Sequence, residues 1–307
     1  MSLESDLLVD RRRLKRRLFV WRALAIVAAV VAAVVAIGPS GTALGGKHVA
    51  RLTVSGLITD DRKRTEAVEA LAKDKDVAAL LLIVDSPGGS VSGGESLHDA
   101  IAKVAAAKPV VAVMGGTAAS AAYMISVPAA RIFARESTLT GSIGVILQAP
   151  EFAGLLDKLG IDAQTFVSGP LKGQPSLTAP LSDQGKAYLH DLVMELFDQF
   201  VTLVADDRHM PRDQVLALAD GRAYTGRQAL KLGLVDQIGG ESDARDWLAS
   251  NKHVSKDLPV EDVSTRSFST RMLSGALDGV LGDVLKSVGW QGVKLDGAWA
   301  VWQPPGQ

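Results

Sequence analysis

The chain is 307 residues long, with 47% hydrophobic and 22% charged residues. That balance excludes a disordered, collagen-like or fibrous chain and leaves room for one large domain with extensions, or for two. The absence of cysteine excludes disulfides, thiolate-zinc sites, iron–sulfur clusters and a cysteine nucleophile, and a net charge of +4 over residues 1–22, leaving −5 for the other 285, gives a nucleic-acid role no basic domain to rest on.

Residues 1–22 read as a basic cytoplasmic segment, in which Arg11, Arg12, Arg13, Lys15, Arg16 and Arg17 precede the apolar residues 18–21 and Arg22. Fifteen uncharged residues follow, from 23 to 37. A bilayer core of ~30 Å takes roughly 17 to 25 helical residues. Residues 23–38 therefore read as a transmembrane anchor, or 18–38 if Arg22 snorkels to the headgroups. The positive-inside rule keeps the N-terminus in the cytoplasm. It makes the chain a single-pass protein of the inner (cytoplasmic) membrane, with everything after Gly38 on the periplasmic or extracytoplasmic side. A cleaved secretory signal is the nearest alternative, since Gly41-Thr42-Ala43 offers small residues after the apolar stretch.

Beyond a Gly/Ser-rich linker at 39–46, strands and helices alternate. The pattern predicts a strand at 48–54, a helix at 62–73 and, from the unbroken apolar run VAALLLIV at 77–84, a strand buried on both faces. A helix at 94–106, a strand at 110–114, a helix at 118–127 and strands near 131–133 and 143–147 follow. Next come a helix at 152–159, a strand at 162–167, a Gly/Pro-rich loop at 169–180 and helices at 182–208, 211–218 and 226–232. A short strand at 234–237 closes the series. Residues 47–250 thus read as an α/β layered domain. Residues 251–307 show an amphipathic helix through Leu273, Leu277, Val280, Leu281, Val284 and Leu285, then a tail holding Trp290, Trp299 and Trp302.

Two segments carry chemistry. Asp85-Ser86-Pro87-Gly88-Gly89-Ser90-Val91 joins the buried strand to a helix; its paired glycines let backbone N–H groups approach a ligand, and it fits neither a P-loop nor a GxGxxG spacing. Met114 to Tyr123 repeats the design, with Gly115-Gly116 before a run of small residues around Ser120. A nucleophilic serine needs room for a tetrahedral carbon and a free N–H aimed at the oxyanion, which small neighbours at a helix start provide. Taken singly, each segment more often marks an ordinary strand-to-helix turn or a tightly packed helix start than a site.

Together, DSPGGSV at 85–91, GGTAASAAYMIS at 115–126, LTGSIGVI at 139–146 and DGRAYTGRQALKLGLVD at 220–236 resemble the signal peptide peptidase A family of membrane-anchored serine proteases, in its short single-domain form. The resemblance covers residues 48–240, about two thirds of the chain. It implies a crotonase- or Clp-like ββα spiral, Ser120 as nucleophile, Lys172 as the base, and backbone N–H groups of Gly89 and Ala121 as oxyanion donors. It also implies Ser142 as a candidate to orient the lysine, no cofactor or metal, and a homo-oligomeric ring. Hydrophobic peptides such as cleaved signal peptides are the implied substrates.

The residues are compatible with a lysine base. The histidine that a Clp-type triad would place after the nucleophile is missing from 131–148, and Lys172 stands in the Gly/Pro-rich loop Gly169-Pro170-Leu171-Lys172-Gly173-Gln174-Pro175. A lysine acts as a base only after losing its proton, which needs desolvation by a neighbour or by bound peptide. In this family's short members the serine and lysine of one site come from different protomers, so Lys172 is expected to act in trans. The rival expectations are a crotonase-type acyl-CoA enzyme, which uses the same oxyanion donors without a serine nucleophile, and a non-catalytic membrane scaffold.

Overall fold

The apolar run at 77–84 lies inside β2 (Val77–Gly89), and its side chains alternate between two cores, as a strand buried on both faces must. In the computed structural model Ala79 and Leu81 pack with Val49, Val111, Phe133 and Leu248. Leu80, Leu82 and Val84 pack with Leu52, Val54, Met114 and Ile101 on the other face. Each such buried aliphatic side chain contributes ~1.5–3 kcal/mol. The structure describes residues 46–263, with 17–19, 21, 22, 25 and 26 before them. The chain divides into two units, Met1–Gly41 with Arg266–Gln307, and Thr42–Thr265; the second holds the sheet. Apart from residues 25 and 26, which are helical, the expected anchor at 23–38 lies outside the described residues, as do the expected helix from Leu273 to Leu285 and the tryptophan tail. Among the described residues no helix is long and apolar enough to cross a membrane.

The elements run β1 (His48–Ile58), α1 (Arg62–Leu71), β2, α2 (Val91–Ala105), β3 (Val110–Ala119), α3 (Ala121–Met124), β4 (Arg131–Ala134) and β5 (Leu139–Gly141). They continue with α4 (Ala153–Lys158), α5 (Asp183–Arg208), α6 (Arg212–Leu218), β6 (Ala223–Thr225), α7 (Gly226–Lys231), β7 (Gln237–Ile238), α8 (Glu241–Lys252) and β8 (Val260–Asp262). The result is a mixed α/β sheet in the order β6-β5-β3-β2-β1-β8, with β4 on β3 and β7 on β4. The β5–β6 pair is antiparallel and the others are parallel. Helices α2, α3 and α5 cover the Leu80 face, and α8 covers the other.

The sheet breaks register at one level, which positions the site. Strand β3 pairs with β4 along residues 111–114 and with β5 along 117–119, so its partner changes at Gly115-Gly116. The β2–β3 register slips after Val84, and the β1–β2 register slips between Ser55 and Leu57. Asp85 braces this level, its Oδ1 accepting the Thr117 N–H at 3.0 Å.

Several expectations change. Strands β2 and β3 do not end before their glycine pairs but run through them to Gly89 and Ala119, because Ile58 and Gly141 pair with those residues. The helix expected at 118–127 therefore starts only at Ala121 and ends at Met124. Residues 143–147 leave the sheet, and 162–167 form no strand; among the described residues no strand pairs with either segment. The domain boundary expected at 250 falls inside α8, and the sheet continues through β8, which pairs with β1 over 49–51.

Candidate active site

Ser120 occupies the single residue between β3 and α3. Its φ of 57° and ψ of −124° put a non-glycine residue in a region that costs ~1–3 kcal/mol. The surroundings over-determine that conformation. The Ser120 N–H donates to the Gly141 carbonyl at 2.9 Å, and the Ser120 carbonyl accepts from the N–H groups of Tyr123 at 2.9 Å and Met124 at 3.0 Å. Strand therefore becomes helix in one residue, and the hydroxyl sits half-buried at the corner. The Ala121 N–H, first in the helix, has no intrahelical acceptor.

The two glycine segments touch. Gly88 has a φ of +112°, and a Cβ there would lie 2.9 Å from Ser120 Cβ and 3.0 Å from the Ala119 carbonyl oxygen, so only glycine fits. At Gly89 a Cβ would overlap the Ile58 carbonyl, and the next N–H, of Ser90, donates to that carbonyl at 2.9 Å. Buried hydroxyls fix the remaining backbone. Ser86 Oγ accepts the Gly88 N–H at 3.1 Å. Thr138 Oγ1 donates to the Gly115 carbonyl at 2.7 Å and Thr140 Oγ1 to that of Ala118 at 2.8 Å.

The helices leaving these segments are held from behind. Ser90 caps α2, its Oγ accepting the Gly93 N–H at 3.2 Å. Gly94 lets α2 close on α3, since a Cβ there would meet Ala121 Cβ and Met124 Sδ at 3.0 Å. Tyr123, fully buried, donates its hydroxyl to the Leu234 carbonyl at 2.9 Å, and burial pushes its pKa upward, keeping it a neutral donor.

Of the residues expected to form the site, the structure brings together Ser120, Ala121, Ser142 and the Gly88-Gly89 segment. Ser142, next to Gly141, has a φ of 49°. Its N–H donates to the Arg222 carbonyl at 3.0 Å and its hydroxyl to the Gly221 carbonyl at 3.1 Å, which ties the LTGSIG segment to the DGRAY segment. Lys172 is not brought in. It is exposed, in a turn where its N–H donates to the Gly169 carbonyl at 3.1 Å, and no hydrogen bond joins its ammonium to Ser120 within one chain. Among the described residues no group of three or more His, Asp or Glu could hold a metal ion.

The sequence did not show that Gly88 would press on Ser120, or that the buried His98 and the half-buried Arg208 would pair with Asp207 and Asp236. The usable signal was a histidine in line with the apolar face of α2 and an arginine one turn beyond the buried Val201 and Val204 of α5.

The chain is similar to known proteins over most of its length. The model of peptidase family S49 matches residues 102–255. A protein of Enterococcus faecium provisionally named signal peptide peptidase SppA is 35% identical over 263 residues, which span 81% of this chain and 74% of that protein. A provisionally named protease of Methanocaldococcus jannaschii is 39% identical over 202 residues, 66% of this chain and 65% of its own length. A solved membrane-bound stomatin-specific protease aligns with a TM-score of 0.48 at 15% identity, over 72% of this chain and 99% of its own. With its family model covering half of the chain and a named relative matched over most of it, the chain belongs to peptidase family S49.

Proposed function

We propose that the protein is a membrane-anchored endopeptidase that cleaves hydrophobic peptides, including released signal peptides, through a Ser120–Lys172 dyad. The observation that carries this reading is the Ser120 corner: a strained serine at a strand-to-helix junction, pressed against a glycine with positive φ. Such strain persists where the surroundings impose it and clusters at reacting groups.

In the mechanism the neutral Lys172 amine takes the Ser120 proton as Oγ bonds to the substrate carbonyl carbon. The N–H groups of Ala121 and Gly89 face the resulting oxyanion, each such donor being worth ~2.7–4 kcal/mol in the transition state. The lysine returns the proton to the leaving amine as the peptide bond breaks. Water, deprotonated by the same lysine, then releases the acyl group and restores Ser120.

Lys172 is supplied by a neighbouring protomer in a ring, which also provides the apolar wall that a base lysine requires. The exposure of Lys172, and of Phe166 at 92%, Ile146 at 79% and Leu159 at 63% in the same stretch of chain, supports this. On this reading the sheet is one turn of a Clp-like spiral. The basic segment and apolar run at 18–38 anchor the chain with its domain outside the cytoplasm. A fluorophosphonate tests the nucleophile: it should label the wild-type chain on the peptide holding Ser120 and leave a folded Ser120→Ala chain unlabelled and inactive. Retained turnover in that variant would sink the mechanism.

A further inference from the structure

We propose that His98, held between Asp99 and Asp207, is a positioning residue that sets the spacing of the two backbone donors at the Ser120 site. This role presupposes Ser120 as the nucleophile and concerns how the site is kept in register.

His98 lies on the buried face of α2 with 4% of its surface exposed. Its Nε2 is 2.7 Å from Asp207 Oδ2 and its Nδ1 is 3.1 Å from Asp99 Oδ1. An ionised carboxylate only accepts. Satisfying both contacts requires a proton on each ring nitrogen, so the group that fits this pocket is the imidazolium. Burial disfavours that charge, but the hydrogen bonds and fields of Asp207 and Asp99 outweigh burial and hold the His98 pKa above its ordinary value.

The two donors lie at the starts of α2 and α3, and the last turn of α5 holds both helices. Asp207 reaches α2 through His98. Arg208, beside it, donates to the Gly233 carbonyl at 2.9 Å and to Asp236 Oδ1 at 2.7 Å. The adjoining Leu234 carbonyl takes the Tyr123 hydroxyl of α3. One turn before His98, Gly94 packs on Ala121 and Met124. A shift of α2 therefore moves Gly89 along the chain and Ala121 by contact.

The groups facing His98 are Asp99 on its own helix and Asp207 on α5. Behind them stand Arg208 next to Asp207, Tyr123 on α3 facing Arg208, and Lys103 near Asp99, itself paired with Glu69 of α1 at 2.6 Å. Because the folded pKa is raised, the stabilisation is fully present below the ordinary histidine value and is lost as pH rises through the raised one. A neutral ring keeps one donor and turns a lone pair toward one carboxylate. The clamp therefore loosens on the alkaline side, where a base lysine gains activity.

The test is kinetics of the full chain on a hydrophobic peptide across pH 5 to 10, with His98→Gln and Asp207→Asn. Wild type should show an alkaline fall in kcat with KM steady. His98→Gln should lower kcat by ~10-fold, as expected of a small misplacement, with KM nearly unchanged, and should lack the alkaline fall. Asp207→Asn should move that fall to lower pH. Superimposable alkaline limbs in wild type and His98→Gln, or an effect confined to KM, would overturn the role. An activity-free arm stands apart from the nucleophile: in a Ser120→Ala chain, nitrogen NMR of the imidazole should find both His98 nitrogens protonated at pH 7. A neutral ring there overturns the proposal even if His98→Gln fails to fold, whereas an active Ser120→Ala chain would remove the nucleophile and not the imidazolium.

Discussion

The two halves of the proposed site differ in how they are built. Around Ser120 each turn is fixed by the chain itself, through Gly88 against the Ser120 corner, Asp85 on Thr117, Thr140 on Ala118 and Tyr123 on Leu234. Around Lys172 almost nothing is. From Ile146 to Leu177 the chain leaves the sheet and turns outward large apolar side chains, among them Leu155, Leu159, Ile161 and Phe166, while its backbone hydrogen bonds are mostly short-range turns, with the Phe152 N–H to Leu177 carbonyl bond at 2.8 Å closing the segment on itself. The nucleophile half is complete in one chain, and the base half has the surface of an element awaiting a partner. On the proposed reading, a site assembled this way would be active only in the oligomer.

The largest effect that could break this contrast is at the nucleophile: Ser120→Ala should lower peptide turnover by ~10⁴-fold or more without lowering the melting temperature. Lys172→Ala should come next, with comparable loss of turnover but a change in single-chain stability within ~0.5 kcal/mol, measured by denaturant unfolding. A loss of several kcal/mol there would mean that the lysine is built into its own chain. Gly88→Ala should cost ~1–3 kcal/mol and most of the activity, because φ is +112° and the methyl meets Ser120 Cβ at 2.9 Å. Gly56→Ala, at a φ of +68° with open space around it, should cost only ~1–2 kcal/mol and leave kcat nearly intact. The mildest change, Phe166→Ser, should leave single-chain stability unmoved and weaken self-association in sedimentation; the opposite pattern would place Phe166 in a core.

How much of this was legible in the sequence follows the same division. The run at 77–84 announced a strand buried on both faces, and the glycine pairs marked the two segments that meet at Ser120, because local chemistry decides such features. Where β2 and β3 end was not legible. That depends on Ile58 and Gly141 pairing across the sheet, contacts between residues far apart in sequence. The strand expected at 162–167 failed for a related reason: an alternating pattern specifies a face to bury and does not say which chain will cover it. The pairings of His98 and Arg208 were not legible because Asp207 meets His98 only once α5 is packed on α2, and Asp236 meets Arg208 only once the segment after α7 is packed on α5.

The central claim is that the serine half and the lysine half of one site belong to different chains. Co-expressed Ser120→Ala and Lys172→Ala chains, carrying different tags and purified as mixed oligomers, test it most directly. Composite sites predict that the mixture regains part of the wild-type turnover, since some sites pair an intact Ser120 with an intact Lys172. Mixed oligomers that are demonstrated by both tags and remain inactive would place both residues of each site in one chain.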